Sequence, residues 1–427
     1  MNDTLLKLFG FGVAKNATEA EKIKALSKQG SDTLYKGDYE TAFSCWSKLL
    51  QLDPKNTDAF VFRGIARVGK GDLDGAINDW TEAIRLNPNS IEAYSNRGNA
   101  YQRKGNLDEA MLDWSKAIQL NPEFAETYYN RGVAYQERGN LDKAISDYSK
   151  AIQLNPKEPR AYNNRGDIYG RNSEWDKAFN DFNEAIRINP KYFKAYAGRA
   201  DIYRCNGNWD KAISDYDEAL QLDPEAANIY YRRGNAYFKK GDLEKAMRDY
   251  NKAVVNDPCL AEAYYERGNV YRRKGEWDKA ISDYDEAINL KPKVAEIYYN
   301  RGNAYRKKGV WDNAISDWNE TIKLKPKVAE AHNNLAWLLA TCPEPSIRNG
   351  RKAVELALKA CELTQWKKWN CIGTLGTAYA ETGDFTQAIK YQSQAMGMEG
   401  VTENKRAEAQ QRVNLYQQGK SYHEIPQ

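Results

Sequence analysis

The sequence predicts an all-α solenoid of stacked helix hairpins, and three regularities carry that prediction. Nine prolines, Pro54, Pro88, Pro122, Pro156, Pro190, Pro224, Pro258, Pro292 and Pro326, stand 34 residues apart without exception. In the units they define, slot twenty is always alanine, from Ala42 to Ala314, and slot eight is glycine except for Ala200 in the sixth. Slot twenty-four is aromatic throughout, from Trp46 through Tyr148 to Trp318. A fixed period of this length marks a repeat architecture in which each unit is one supersecondary element.

The elements of a unit follow in order. Slots four, seven, eight and eleven, as in Tyr298, Arg301, Gly302 and Tyr305, share one face of a 3.6-period helix, while Ala314, Trp318 and Thr321 mark one face of a second. Between the two lies a turn such as Lys104-Gly105-Asn106, where glycine suits a left-handed helix end and Asn or Asp caps the next helix. The proline then stops the second helix. Small residues at slots eight and twenty let the backbones approach, and the aromatics fill the space beside them. No unit buries both faces alone, so stacking must do it.

This period and residue pattern resembles the tetratricopeptide repeat family, with Gly or Ala at slot eight, Tyr at eleven, Ala at twenty, an aromatic at twenty-four and Pro at thirty-two. The resemblance implies a right-handed superhelical solenoid of antiparallel helix hairpins. Residues 1–22 read as an N-terminal segment or cap and 23–328 as nine regular repeats. Residues 329–364 form a divergent tenth with the insertion TCPEPSIRNG, 369–402 an eleventh, and 403–427 a capping helix and tail.

Composition excludes several classes. With 41% apolar and 29% charged residues the chain folds in water, and no stretch has the roughly 18 apolar residues of a spanning helix. The net charge of +4 in 427 residues weighs against a nucleic-acid or membrane-surface partner. Two histidines leave little material for metal or general-base chemistry; His332 falls at the fourth slot, a packed position, and His423 in the tail. No phosphate loop, nucleophile elbow or zinc-type cysteine spacing is present, so no catalytic residue, metal or cofactor is expected. The six cysteines read as buried or free thiols, against the alternative of a bridge such as Cys361 to Cys371 that their even count allows. That usage and the poor resemblance of MNDTLLKLFGFGVAK to a signal peptide point to the cytoplasm.

One regularity departs from the family pattern. Slot seven is arginine in eight units, from Arg63 to Arg301, and each of them has aspartate at slot twenty-three, from Asp79 to Asp317. The first unit shows Gln29 and Cys45 there, and the eleventh Leu375 and Tyr391. Joint presence and absence predicts an Arg–Asp pair between helices, within a unit or across to its neighbour.

Function is expected on the opposite face. Slots two, five, nine and twelve, with six and thirteen beside them, lie about 140–150° around the first helix from the packed slots at ~100° per residue. In the resembled family this face lines the concave groove. Slot six supplies Asn96, Asn130, Asn164, Asn300 and Asn334, and slot nine Asn99, Asn235, Asn269 and Asn303. Amides offer both donors and an acceptor, so such rows suit the backbone of an extended peptide. Toward the end of the regular array Tyr231, Tyr265 and Tyr299 appear at slot five, and slots twelve to fourteen become Phe238-Lys239-Lys240, Arg272-Arg273-Lys274 and Arg306-Lys307-Lys308. This basic, aromatic end suits an acidic peptide, although cations at a helix C-terminus also simply complement its dipole. Lysine is absent from slot five, where Ser95, Tyr129, Asn163 and Ala197 stand, which argues against the family's carboxylate clamp. The expected function is a non-catalytic scaffold that holds a partner's segment, and self-association through the same face is compatible with the sequence. The alternative is sequence-independent binding of single-stranded nucleic acid by the Tyr and Arg stripe. A further alternative docks LLKLFGFGVA on a membrane.

Overall fold

The computed structural model describes residues 18–424, and every regular element among them is helical. The chain divides into two compact units, the first ending at Ile202 and the second beginning at Tyr203. In both, successive helices pair as hairpins and each hairpin packs on the next. The expected cap at residues 1–22 and the membrane-docking segment fall largely outside the described residues. Glu19 to Lys22 open the first helix, Glu19–Tyr35, behind a capping box of Thr18 and Glu21.

Thr57–Gly69 with Leu73–Leu86 in the first unit, and Ala295–Lys307 with Trp311–Leu324 in the second, show how a hairpin forms. The first helix fills slots one to thirteen and the second ends two residues before the proline. Slot fifteen takes positive φ, for example +81° at Gly105 and +74° at Gly309, which glycine adopts without steric cost. In the fifth repeat Ser173 stands there at φ +61°. Asp72, Asn140 and Asp242 cap the second helix through their side chains, as expected. Glu174, Glu276 and Val310 occupy the same slot and make no such bond, so the cap is not required in every repeat.

The meeting of large and small residues explains the repeat. Each slot-eight glycine lies under the slot-twenty-four ring of its own hairpin: a Cβ on Gly132 would come within 2.8 Å of Tyr148, and one on Gly302 within 2.8 Å of Trp318. Slot-twenty alanines are fully buried beside them. The apolar core then runs between hairpins, as where Ala280, Tyr284 and Ala287 join Ile297 and Ala304 of the next repeat. The last repeats, Ala329–Thr341 with Gly350–Leu363 and Trp369–Glu381 with Phe385–Met396, have a larger aliphatic core that includes Leu335, Leu338, Leu375, Cys361 and Cys371. All six cysteines are free, and burial pushes the Cys361 thiol up to about 12. His332 is buried, its Nδ1 2.9 Å from the carbonyl of Val328, consistent with a packing role.

Candidate functional site

The Arg–Asp pairs form within repeats. Bidentate contacts join Arg63 to Asp79, Arg97 to Asp113, Arg131 to Asp147, Arg165 to Asp181, Arg233 to Asp249, Arg267 to Asp283 and Arg301 to Asp317, at 2.6–2.9 Å. The third guanidinium nitrogen reaches slot twenty-five of the preceding repeat, as Arg131 Nη1 to Ser115 Oγ at 3.1 Å and Arg301 Nη1 to Asp285 Oδ1 at 2.6 Å. From Arg97 to Arg301 the arginine therefore also staples its repeat to the preceding one, but of the two alternatives left open by the sequence the Arg–Asp pair takes the one within the repeat. Tyr128 and Tyr135 flank the Arg131 guanidinium, and Asp147 holds it further into its charged range. These charges belong to the packing between hairpins and leave the opposite face to other work.

On that face the asparagines hydrogen-bond to one another. Asn99 Oδ1 accepts from Trp114 Nε1 at 3.0 Å and from Asn130 Nδ2 of the next repeat at 2.9 Å. Asn303 Oδ1 accepts from Asn334 Nδ2 at 3.1 Å, and Asn269 Oδ1 from Tyr284 at 2.9 Å and Asn300 at 3.4 Å. Asn235 Oδ1 accepts from Tyr250 at 2.7 Å. Asn164 Nδ2 reaches the hydroxyls of Tyr129 and Tyr148 at 3.3 and 3.4 Å. Asn96 is half-buried with no hydrogen-bond partner among the described residues. The rows are thus orienting devices as well as exposed amides. In this pattern slot-nine oxygens and slot-six Nδ2 groups are engaged, while Nδ2 of Asn99, Asn235 and Asn303 and Oδ1 of Asn130, Asn300 and Asn334 make no hydrogen bond among the described residues.

The slot-five tyrosines are part of the same network. Tyr265 and Tyr299 hydroxyls accept from Asn300 and Asn334 at 2.8 and 3.2 Å. The rings of Tyr231 and Tyr265 lie 6.4 and 6.0 Å from those of Tyr250 and Tyr284. Burial raises the phenols of Tyr231 and Tyr265 above the ordinary tyrosine range. All three rings are half-buried, wedged between repeats.

The basic end divides by slot. Slot-fourteen cations bridge to the preceding repeat: Lys240 to Asp210, Lys274 to Glu244 at 2.8 Å and Lys308 to Asp278, as Lys70 to Glu40 at 2.6 Å in the first unit of the chain. Their role is structural. Slots twelve and thirteen remain on the face: Arg272 is half-buried, the Arg273 guanidinium lies 4.0 Å over the Phe238 ring, and Lys307 is exposed; among the described residues Arg272 Nε has no hydrogen-bond partner and Lys307 no ion pair. Arg306 meets Glu424 at 2.9 Å. Glu266, a site residue the sequence did not flag, sits beside Asn269 with Lys239, Arg272 and Arg273 near; burial nonetheless raises its carboxyl. Its place at slot six, where asparagine is common, was the available signal. Among the described residues no group of three or more His, Cys, Asp or Glu side chains is placed to hold a metal, and no helix is long and apolar enough to cross a membrane.

Hairpins of this length, stacked on an aromatic–glycine seam, define the class of helical-repeat solenoids. Sequence models of the TPR repeat match residues 64–105, 103–139, 200–241, 234–275, 268–309 and 302–340, and models of the tetratricopeptide repeat match 125–158, 159–192, 182–214 and 371–400. The chain belongs to the tetratricopeptide repeat family and is a protein-interaction scaffold. No curated protein matches the chain. It is similar to solved structures that include a tetratricopeptide repeat protein from Parabacteroides merdae, at 25% identity over 58% of this chain and 98% of that one, TM-score 0.48. MamA aligns at 30% identity over 39% of this chain and 96% of its own, TM-score 0.36. YrrB, described as a TPR protein with an unusual peptide-binding site, aligns at 22% identity over 43% and 95%, TM-score 0.38.

Proposed function

We propose that the face carrying the asparagine rows is a groove that holds an extended segment of a partner protein. One observation carries this reading: the amides are pre-oriented by their neighbours, so the Asn99–Asn130 and Asn303–Asn334 contacts between repeats each offer one N–H donor from slot nine and one C=O acceptor from slot six of the next repeat. An extended backbone presents the complementary alternation of acceptor and donor. Orientation before binding lowers the ordering cost that flexible side chains would add. The cations of slots twelve and thirteen, Arg272, Arg273, Arg306 and Lys307, favour an acidic segment beside the rows.

The test is affinity capture with wild type against the double variant Asn235→Ala, Asn303→Ala, after equal helicity is confirmed by circular dichroism. A protein retained by wild type and lost by the variant is the expected result, with its bound segment mapped by peptide array. Identical captures by the two proteins would remove the groove reading.

A further inference from the structure

The last described residues leave the C-terminal helix Glu403–Gln417 and return without regular structure over the same face of the final repeats. Ser421 Oγ donates to the Ala380 carbonyl at 2.8 Å, and the Glu424 backbone N–H to the Thr341 carbonyl at 2.8 Å. The Glu424 carboxylate accepts from Arg306 Nη2 at 2.9 Å and from Trp337 Nε1 at 2.7 Å. Tyr422 lies 6.2 Å from the Trp337 ring, and the Arg412 guanidinium is 5.6 Å from one ring and 5.7 Å from the other. These contacts fall at slot twelve of the ninth repeat, slots nine and thirteen of the tenth and slot twelve of the eleventh, which are the slots read from sequence as the binding face.

We infer that Arg306, Trp337, Arg412 and the Thr341 carbonyl form a subsite for an extended partner segment carrying an aromatic residue two positions before a carboxylate, and that the chain's own tail fills it until such a segment competes. The inference rests on the groove reading and names its specificity. Arg306 and Trp337 both donate to one carboxylate oxygen, and the guanidinium charge favours an acid over an amide there. An aromatic side chain completes the cluster by packing tilted against Trp337, at 47° between the rings, with the Arg412 guanidinium beside both. The carboxylate stays a quarter exposed and Arg306 about a third, at 25% and 31%, so the contact closes the face without being sealed into the core. The tail runs from the eleventh repeat toward the ninth, and a longer acidic segment following that path continues toward Arg272 and Arg273.

The test uses the full chain carrying Tyr422→Ala and Glu424→Ala, with a fluorescent peptide of sequence Lys-Ser-Tyr-His-Glu-Ile-Pro-Gln added in trans. A tethered tail competes at an effective concentration on the order of millimolar, so the peptide is expected to bind the variant at least tenfold more tightly than wild type. Adding Arg306→Ala, or replacing the peptide's Glu with Gln, is expected to weaken that binding at least tenfold. Equal binding to wild type and variant, or binding indifferent to Arg306, overturns the subsite. Glu424→Gln alone gives a second readout that needs no peptide: amide exchange at residue 424 is expected to accelerate tenfold or more, and unchanged exchange counts against the inference. A wild-type dimer that Glu424→Gln dissociates would assign the tail to a second copy and overturn a partner segment as occupant. None of these readouts depends on Asn235 or Asn303, so failure of the subsite and failure of the groove are separable.

Discussion

At the residue scale the stability of each hairpin rests on a few contacts that tolerate little change. In Gly132→Ala the new methyl meets the Tyr148 ring at 2.8 Å, and a thermal melt is expected to show a loss of about 1–3 kcal/mol from overpacking. Asp147→Ala leaves the Arg131 guanidinium, 17% exposed, without its carboxylate, and a loss of about 3–5 kcal/mol is expected in chemical denaturation. Ser173→Gly has the opposite sign, since a non-glycine residue at φ +61° carries roughly 1–2 kcal/mol of backbone strain that glycine relieves; a gain of about 1 kcal/mol is the expected outcome. The Arg–Asp pairing was legible because both partners come and go together along the sequence. The slot-twenty-five contact was not singled out, although that slot is polar in Thr81, Ser115, Ser149, Asp217 and Asp285. A short polar residue beside an aromatic slot carries no signal of its own until the preceding helix places it against the guanidinium.

At the element scale, what distinguishes this chain is the way its last helix ends the stack. Helix Glu403–Gln417 packs on Phe385–Met396 and buries Ala409, Arg412, Val413 and Tyr416, with Tyr416 OH 3.2 Å from Thr377 Oγ1. We read it as the cap that an open repeat stack requires. Tyr416→Ala removes the largest side chain of that contact. A loss of about 3 kcal/mol, the scale of truncating a buried aromatic, is expected in the stability of the last two repeats, read as faster amide exchange in Trp369–Glu381. The existence of this helix was visible in the spacing of Ala407, Val413, Leu415 and Tyr416, but the tail beyond it was not. Its residues show no periodicity, and only the turn after Gln417 sends Tyr422 and Glu424 back onto Trp337 and Arg306.

At the scale of the whole molecule, phenols buried in repeat after repeat make the fold sensitive to alkali. Burial raises Tyr129, Tyr148, Tyr231, Tyr250, Tyr265 and Tyr284, and pushes Tyr192 and Tyr416 up to about 12. A pKa raised in the folded state means that folding favours the protonated phenol. That contribution is complete below the unfolded value near 10 and is lost as pH rises through the folded values. Helicity at 222 nm is therefore expected to hold to about pH 10 and to fall between roughly 10 and 12 together with the rise of tyrosinate absorbance. Because stability is a sum of repeat and neighbour terms, the effect of Asp147→Ala is expected to stay local. Hydrogen exchange should accelerate in the fourth repeat and those adjoining it, with the last two repeats unchanged.

The sequence by itself determined the repeat length, the hairpin, the glycine–aromatic seam and the Arg–Asp pair, because each of these recurs at one spacing and periodicity is a one-dimensional property. It also pointed to the face where the asparagines stand. Only the tertiary structure decided which half of each amide is engaged, that the lysines of slot fourteen bridge neighbouring repeats, and that Glu424 reaches Arg306 across 118 positions of chain. Those outcomes depend on distances between helices from different repeats, and a contact made once, between a tail and a distant helix, leaves no period in the sequence to read.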